Sequence, residues 1–456
     1  MDIQNFSALF NTPARREAFL KLIKDNKTKH IFIQGLEGSS IALFFSNLLE
    51  HKQAHILIAN DLDEAGYLYN DLVQINGNDH ILLFPSGYKR DIKYGQPDPP
   101  SEILRTEVLN RLCQKGESLL IVTYPEAIAE KVVPVNMLSE QTLHIDKNSK
   151  CDIITLSDKL RERGFEEVDY VYEPGQFAVR GSILDVFSYT NELPYRIDFF
   201  GKEVESIRTF EVETQLSTGK LEEVYIVANV CGQETSGISI LDFIDKNTIL
   251  ICHNLSWVID RISTIASESL SEQTLIAEEG DRYAMQKIID VTAFQKKITT
   301  FRRIDYGTSS EANAPAVIRF NCAPQGVYHK NFDLVSQSFS QFIEKGYTLY
   351  ILSDSEKQIE RLQAIFEERG DSISFTPVLK TLHEGFVDND LKIGCFTDHQ
   401  IFDRFHKYTL KSEHARSGKL ALSLKELNQI EVGDYIVHVD HGICLLYTSD
   451  AADDLI

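Results

Sequence analysis

From His30 to Lys131 short apolar runs alternate with helical stretches, and no other feature of the 456-residue chain constrains its fold as much. The runs His30–Gln34, Ala54–Asn60, His80–Pro85 and Leu119–Tyr124 have the length and composition of buried strands. Ile41–Glu50, Asp63–Val73, Ser101–Cys113 and Pro125–Lys131 read as the helices between and after them. Strands that alternate with helices need crossover connections, and these give a parallel sheet with helices on both faces. A helix over residues 1–22, broken at Thr12-Pro13, precedes the first strand.

After Pro134 the pattern changes. Leu156–Arg163 reads as a short helix with Ser157 as N-cap and Gly164 just past its end. Strand-like runs follow at Phe165–Tyr172, Phe177–Arg180, Ile183–Phe187, Tyr195–Phe200 and Val204–Phe210. Runs joined by short turns predict an antiparallel insert of about eighty residues. Within it, Pro174-Gly175 is a turn signal, with glycine free to take positive φ at the second corner. Period-2 parity then puts Phe177 and Val179 on one face, and Gln176, Ala178 and Arg180 on the other. In the later run Tyr195, Ile197 and Phe199 point one way; Arg196, Asp198 and Phe200 point the other. Two arginines and a phenylalanine thus fall where a strand ordinarily shows solvent. The alternative for the arginines is a cross-strand ion pair, such as Arg196 with a neighbouring Asp or Glu.

The first pattern resumes at Glu213–Arg303, with strands at Leu221–Val227 and Thr248–His253 and with Trp257 packed in a core or boundary. Beyond the polar break Gly307–Pro315 another α/β unit follows. It comprises Val327–Tyr328, helix Phe332–Lys345, strand Tyr347–Ser353, helix Ser355–Arg369 and strand Leu391–Thr397, with Asp354 and Asp398 as helix caps. The implied segments are 1–135, 136–212, 213–310 returning to the first domain, 316–403, a linker 404–428, and 429–456.

The net charge of −22 disfavours nucleic acid as the direct ligand, because non-specific affinity for phosphate backbones comes mostly from cation contacts. Arg404, Lys407, Lys411, Arg416, Lys419 and Lys425 form a basic stretch against the lone acid Glu413, read as a solvated linker or as a contact with a nucleic-acid-bound assembly. No apolar run approaches the roughly 18 residues that span a bilayer. The N-terminus lacks the features of a signal peptide, and the seven cysteines show no C-x-x-C pair, which together point to a cytoplasmic protein with free thiols.

The turn Gly35-Leu-Glu-Gly-Ser-Ser40 lies where a phosphate-binding loop would lie. Such a loop needs a second glycine, a lysine and a Ser/Thr at positions that here hold Ser40, Ile41 and Ala42. An aliphatic side chain cannot replace the cation, so a nucleotide-binding architecture without a nucleotide site is expected. Asp61-Leu-Asp-Glu64 reads as an N-cap cluster, not a metal motif. His438 and His441, three apart on an expected strand, point to opposite faces and make no metal pair.

Taken together, the chain resembles the N-terminal part of bacterial transcription-repair coupling factors, and its first three segments resemble the repair subunit UvrB. The carrying residues are Gly35–Ser39, Gly175–Phe187, Leu193–Gly201, Glu203–Phe210 with Thr214-Gln215, Gly385-Phe-Val with Leu391-Lys-Ile and Ile401-Phe402, and Val432–Ile443. The resemblance implies a RecA-like parallel-sheet domain with a degenerate phosphate loop (Gly35, Gly38, Ser40, Ile41), an inserted α+β domain and a further α/β domain. It also implies the start of a small β-barrel. UvrB keeps the lysine-bearing loop and lacks the last block, so the resemblance favours the coupling factor over a UvrB-like helicase. What it implies is an adaptor that recruits UvrA to RNA polymerase stalled at lesions. The UvrA contacts fall on Arg180, Arg196 and Phe200. The barrel that grips the polymerase β subunit opens around Val437, His438, His441 and Gly442. ATP, Mg and DNA belong to the family's motor, so no cofactor is expected for this chain. Cys444–Ile456 departs from the family pattern, as a truncated reading would.

Overall fold

The computed structural model describes residues 1–88, 98–228, 237–275, 288–308, 316–406, 408, 435–438 and 442–445, apart from isolated positions 26, 115, 141, 148, 190, 192 and 213. Met1–Tyr408 packs as one compact unit, and Thr409–Ile456 is a second.

Two short helices open the chain, α1 (Ile3–Phe10) and α2 (Pro13–Lys24), capped by the Asp2 carboxylate and the Thr12 hydroxyl. They end and begin at Thr12-Pro13 because Pro13 has no N–H to continue α1 but fits the first turn of α2. Then β1 (His30–Gln34), α3 (Ser40–Phe45), β2 (Ala54–Ile58), α4 (Leu62–Asn76), β3 (Ile81–Leu83), α5 (Pro99–Cys113), β4 (Leu119–Thr123) and α6 (Pro125–Ala129) realise the expected alternation. Asp61 caps α4, accepting from the Glu64 amide.

The chain next leaves this sheet. Helix α7 (Val135–Glu140) and strand β5 (Thr142–Asp146) lead to α8 (Ile153–Glu162) and β6 (Glu166–Glu167). Strands β7 (Gln176–Arg180), β8 (Ile183–Val186), β9 (Tyr195–Phe200), β10 (Glu203–Phe210) and β11 (Ser217–Leu221) follow, then β12 (Glu223–Val227). Strands β6 to β11 form a six-stranded sheet in sequence order, antiparallel throughout except for β6 with β7. Gly175 turns the chain into β7 at φ 90°.

One sheet face packs under α8. Leu156 and Leu160 of α8 meet Phe177, Leu184, Ile197 and Phe199, each side chain contributing roughly 1.5–3 kcal/mol by leaving water. The helix is capped by Asp152, with Ser157 inside it bonding back to the Ile153 carbonyl, so the cap expected at Ser157 lies one turn earlier. The strand expected over Phe165–Tyr172 is confined to Glu166–Glu167, since Val171 turns away into a small second core with Ala178, Phe187 and Phe210. Strand β12, expected in the resumed first domain, instead pairs with β5 and buries Val224 and Ile226 in the α8 core. The packing of the insert therefore runs on to Ala228, past Val212.

Strands β13 (Ile249–Cys252) and β14 (Arg302–Gly307) re-enter the first sheet. With β15 (Ala316–Arg319) they complete seven parallel strands in the order β15-β1-β14-β13-β2-β4-β3. Residues 316–319 were expected in the further α/β unit. They pair with Ile31–Gln34 and belong to the first sheet. Trp257 sits on the helix Leu255–Leu275 with 40% of its surface exposed, at a boundary and not in the core.

The further α/β unit is a five-stranded sheet of β16 (Cys322–Pro324), β17 (Thr348–Leu352), β18 (Thr376–Val378), β19 (Phe386–Asp388) and β20 (Ile393–Thr397), ordered β16-β19-β20-β17-β18. Helices Phe332–Glu344 and Glu356–Glu368 pack on it through Val335, Phe339, Leu362 and Phe366. Asp354 and Asp398 are not N-caps here. Asp354 accepts from the Thr381 amide, while Asp398 takes Ser353 Oγ and Arg404, with Thr397 at the cap position.

In the second unit β21 (Tyr435–His438) pairs antiparallel with β22 (Gly442–Leu445). Val437 and His438 lie on one strand and Gly442 on the other, paired with His438. A strand carrying both His438 and His441 was expected here; Tyr435–His438 and Gly442–Leu445 are instead two strands paired antiparallel. His441 itself lies outside the described residues, as do the basic positions from Lys407 to Lys425 and the tail after Leu445.

Candidate protein-binding surface

The face of the six-stranded sheet opposite α8 is built around one buried carboxylate. Strand pairing places Asp185 of β8 directly across from Ala178 of β7 and Arg196 of β9. Arg196 grips it as a fork, Nε to Oδ1 at 2.7 Å and Nη2 to Oδ2 at 2.8 Å. Arg180 donates to Oδ2 from the other side. Asp185 has no exposed surface, so two charge-assisted partners offset its desolvation.

Arg196 has further internal partners. Its Nη1 donates to the Gln215 carbonyl at 2.9 Å, and its guanidinium lies over the Phe210 ring at 4.4 Å. The hydrogen bonds it donates to Asp185 hold its pKa above the usual arginine value. Arg180 lies over Tyr170 at 4.9 Å. One strand over, Arg208 of β10 pairs with Asp198 of β9.

The three residues that parity placed outward, and on which the resemblance put the partner contacts, therefore differ in reach. The Phe200 side chain, next to the β9–β10 turn, is 78% exposed. Arg180 is 32% exposed at its side chain, and Arg196 only 13%. The cross-strand ion pair weighed for Arg196 is present, and it fills most of that guanidinium. Val179 shares the parity of Phe177 yet is exposed, whereas Ala178 is buried by Val171, Phe187 and Phe210. Asp185 and Gln215 escape a reading by residue type. The one available signal was a carboxylate inside the apolar run Ile183-Leu-Asp-Val-Phe187.

The turn after β1 presents a different arrangement. Gly35 and Gly38 adopt φ of 83° and 52°, and Ser40 is buried with its hydroxyl closed on Glu37. Ile41, in the first turn of α3, is half-buried. The Ser39 amide donates to the Glu384 carbonyl at 3.2 Å, and the Glu384 amide returns a bond to Ser39 Oγ at 2.9 Å. Ser39 Oγ donates to Asp71 at 2.5 Å, and the other Asp71 oxygen takes the His383 amide at 2.7 Å. A Cβ on Gly38 would stand 2.9 Å from the Gly385 carbonyl oxygen. Chain from the five-stranded sheet's side thus sits against this turn. Burial raises the Asp71 carboxyl to about 7. Among the described residues no group of three or more His, Cys, Asp or Glu could hold a metal ion.

Residues 143–230, which include β7 to β12, match a family model. The match is to the UvrB interaction domain. The chain as a whole is 23% identical, over 90% of its length, to the transcription-repair-coupling factors of Staphylococcus aureus strains MRSA252 and Mu50. To the transcription-repair-coupling factor of Staphylococcus epidermidis it is 22% identical over 91% of its length. The similarity lies in the N-terminal region of these proteins and covers 41% of the first two and 42% of the third. The chain thus spans about two-fifths of the length of the curated relatives it matches. Asp185, Arg196 and Phe200 all lie inside the interaction-domain match.

Proposed function

We propose that this chain is the recruiting part of a transcription-coupled DNA-repair factor, and that it binds UvrA through the β7–β10 face. One observation carries the reading. Within the stretch that matches the UvrB interaction domain, a 78% exposed Phe200 stands on the same sheet face as an Arg180 fixed by a buried carboxylate. An exposed aromatic on the same sheet face as an oriented guanidinium is the composition of an interface hot spot. Fixing it before binding lowers the ordering cost of association.

On this reading the Gly35–Ser40 turn is a phosphate loop that has lost its ligand. Ile41 stands where the cation would be, and the Ser39 amide and hydroxyl are engaged by Glu384 and Asp71. The chain acts as an adaptor and takes no nucleotide itself. ATP, Mg and DNA enter through the motor of the longer relatives. The β21–β22 hairpin begins the region that meets the RNA polymerase β subunit. No helix among the described residues is long and apolar enough to cross a membrane.

Binding to purified UvrA by biolayer interferometry tests the reading. Phe200→Ala and Arg180→Ala are each expected to weaken it by roughly 30-fold, the scale of one hot-spot side chain. Wild-type affinity in both variants would discard the assignment.

A further inference from the structure

The buried position of Arg196 raises a question that its type alone does not. At 13% exposure, with its fork on Asp185, its third nitrogen on Gln215 and its plane over Phe210, it has little surface left to offer a partner. What it holds is more accessible. Gln215 is one of five described non-glycine residues with positive φ, at 57°. Besides the bond from Arg196, its Nε2 donates to the carbonyls of Val212 at 2.8 Å and Val171 at 3.4 Å. A left-handed backbone at a non-glycine residue persists only where its surroundings over-determine it. The next residue, Leu216, is 67% exposed, and its carbonyl accepts the Glu211 amide at 3.0 Å.

We infer that Arg196 is a positioning residue and that the surface it organises extends the contact area past Phe200 to Leu216. This rests on the UvrA reading above. Phe200 lies four residues along β9 from Arg196, roughly 13 Å at the rise of a strand, and the Gln215 backbone is bonded to the far side of that guanidinium. By the strand register Arg208 of β10, a third exposed and paired with Asp198, lies between these two exposed apolar side chains. The complementary patch on UvrA is an acidic group between two apolar sockets.

The full chain serves for the test, with binding to purified UvrA measured beside hydrogen exchange of the free chain over Gln215 and Leu216. Leu216→Ala should weaken binding about tenfold and leave the melting temperature unchanged, because the side chain is exposed. Arg196→Lys keeps the charge but cannot bridge Asp185 and Gln215 together. It should weaken binding to a similar degree and speed exchange at Gln215 and Leu216. Added to Leu216→Ala it should cost less than about threefold more, since both changes remove the same contact. Wild-type binding by Leu216→Ala overturns the proposal. So does an Arg196→Lys loss that is additive with Leu216→Ala and leaves exchange unchanged, which would make Arg196 a direct contact. Phe200→Ala in the same assay separates the two readings. If it weakens binding while Leu216→Ala does not, only the extension fails; if Phe200→Ala, Arg180→Ala and Leu216→Ala are all silent, the UvrA reading falls with it.

Discussion

Replacing Asp185 by Asn removes one charge and changes almost no volume. The amide keeps one acceptor oxygen but turns an NH2 toward guanidinium N–H groups, so donors face donors where Arg180 and Arg196 now share a carboxylate. Breaking a buried ion pair by removing one partner costs about 3–5 kcal/mol. Arg180 is a third exposed and can turn to water, whereas Arg196 is nearly enclosed, which places the loss near the lower end, about 3 kcal/mol. Local opening of β7–β9 should then be on the order of 100-fold more frequent. Hydrogen exchange followed by mass spectrometry reads this on the full chain, in peptides covering residues 176–200. Asp158→Asn is the control. It breaks an equally short pair with Arg161, but both side chains are about half exposed, so exchange should stay near wild type. If Asp185→Asn leaves exchange in β7–β9 within about threefold of wild type, burial does not set the strength of this cluster and the reasoning fails.

Two further outcomes are expected. Gly35→Ala should lower stability by at least about 2 kcal/mol in a circular-dichroism melt, because its φ is 83° and a Cβ would stand 2.2 Å from the Phe320 carbonyl oxygen. The acid response should change with Asp71→Asn. Burial holds His383 near 4, so its neutral form stabilises the fold above about 6.5 and that stability is lost as pH falls toward 4. Asp71 works in the opposite sense. Raised from 3.8 to about 7 by burial, it penalises the fold when ionised, and the penalty is relieved as pH falls through 7 toward 3.8. Asp71→Asn removes that relief, so its melting temperature should fall more steeply than wild type between pH 7 and 4. Parallel curves would refute the assignment.

Much of the local structure was legible because it follows from neighbours along the chain. The Thr12-Pro13 break, strand His30–Gln34 and strand Tyr195–Phe200 appear as expected. A missing N–H, an apolar run and a two-residue alternation are all local. The same locality misled at Ser157, where any hydroxyl near a helix start resembles a cap. Likewise nothing within Leu221–Val227 records that its partner is Thr142–Asp146 rather than a strand of the first sheet.

By itself the sequence determined which face of β7 and β9 each side chain takes, since alternation follows from the pleat of a strand. It also determined that the Gly35 turn carries no phosphate lysine. Only the tertiary structure decided what those faces meet. Arg180, Arg196 and Phe200 share a parity but not an environment. Asp185, eleven residues before Arg196, is brought directly opposite it by the β8–β9 register and encloses its guanidinium, while Phe200 at the strand end stays largely exposed. Period sets direction; register and burial set whether a side chain reaches a partner or is held by the protein itself.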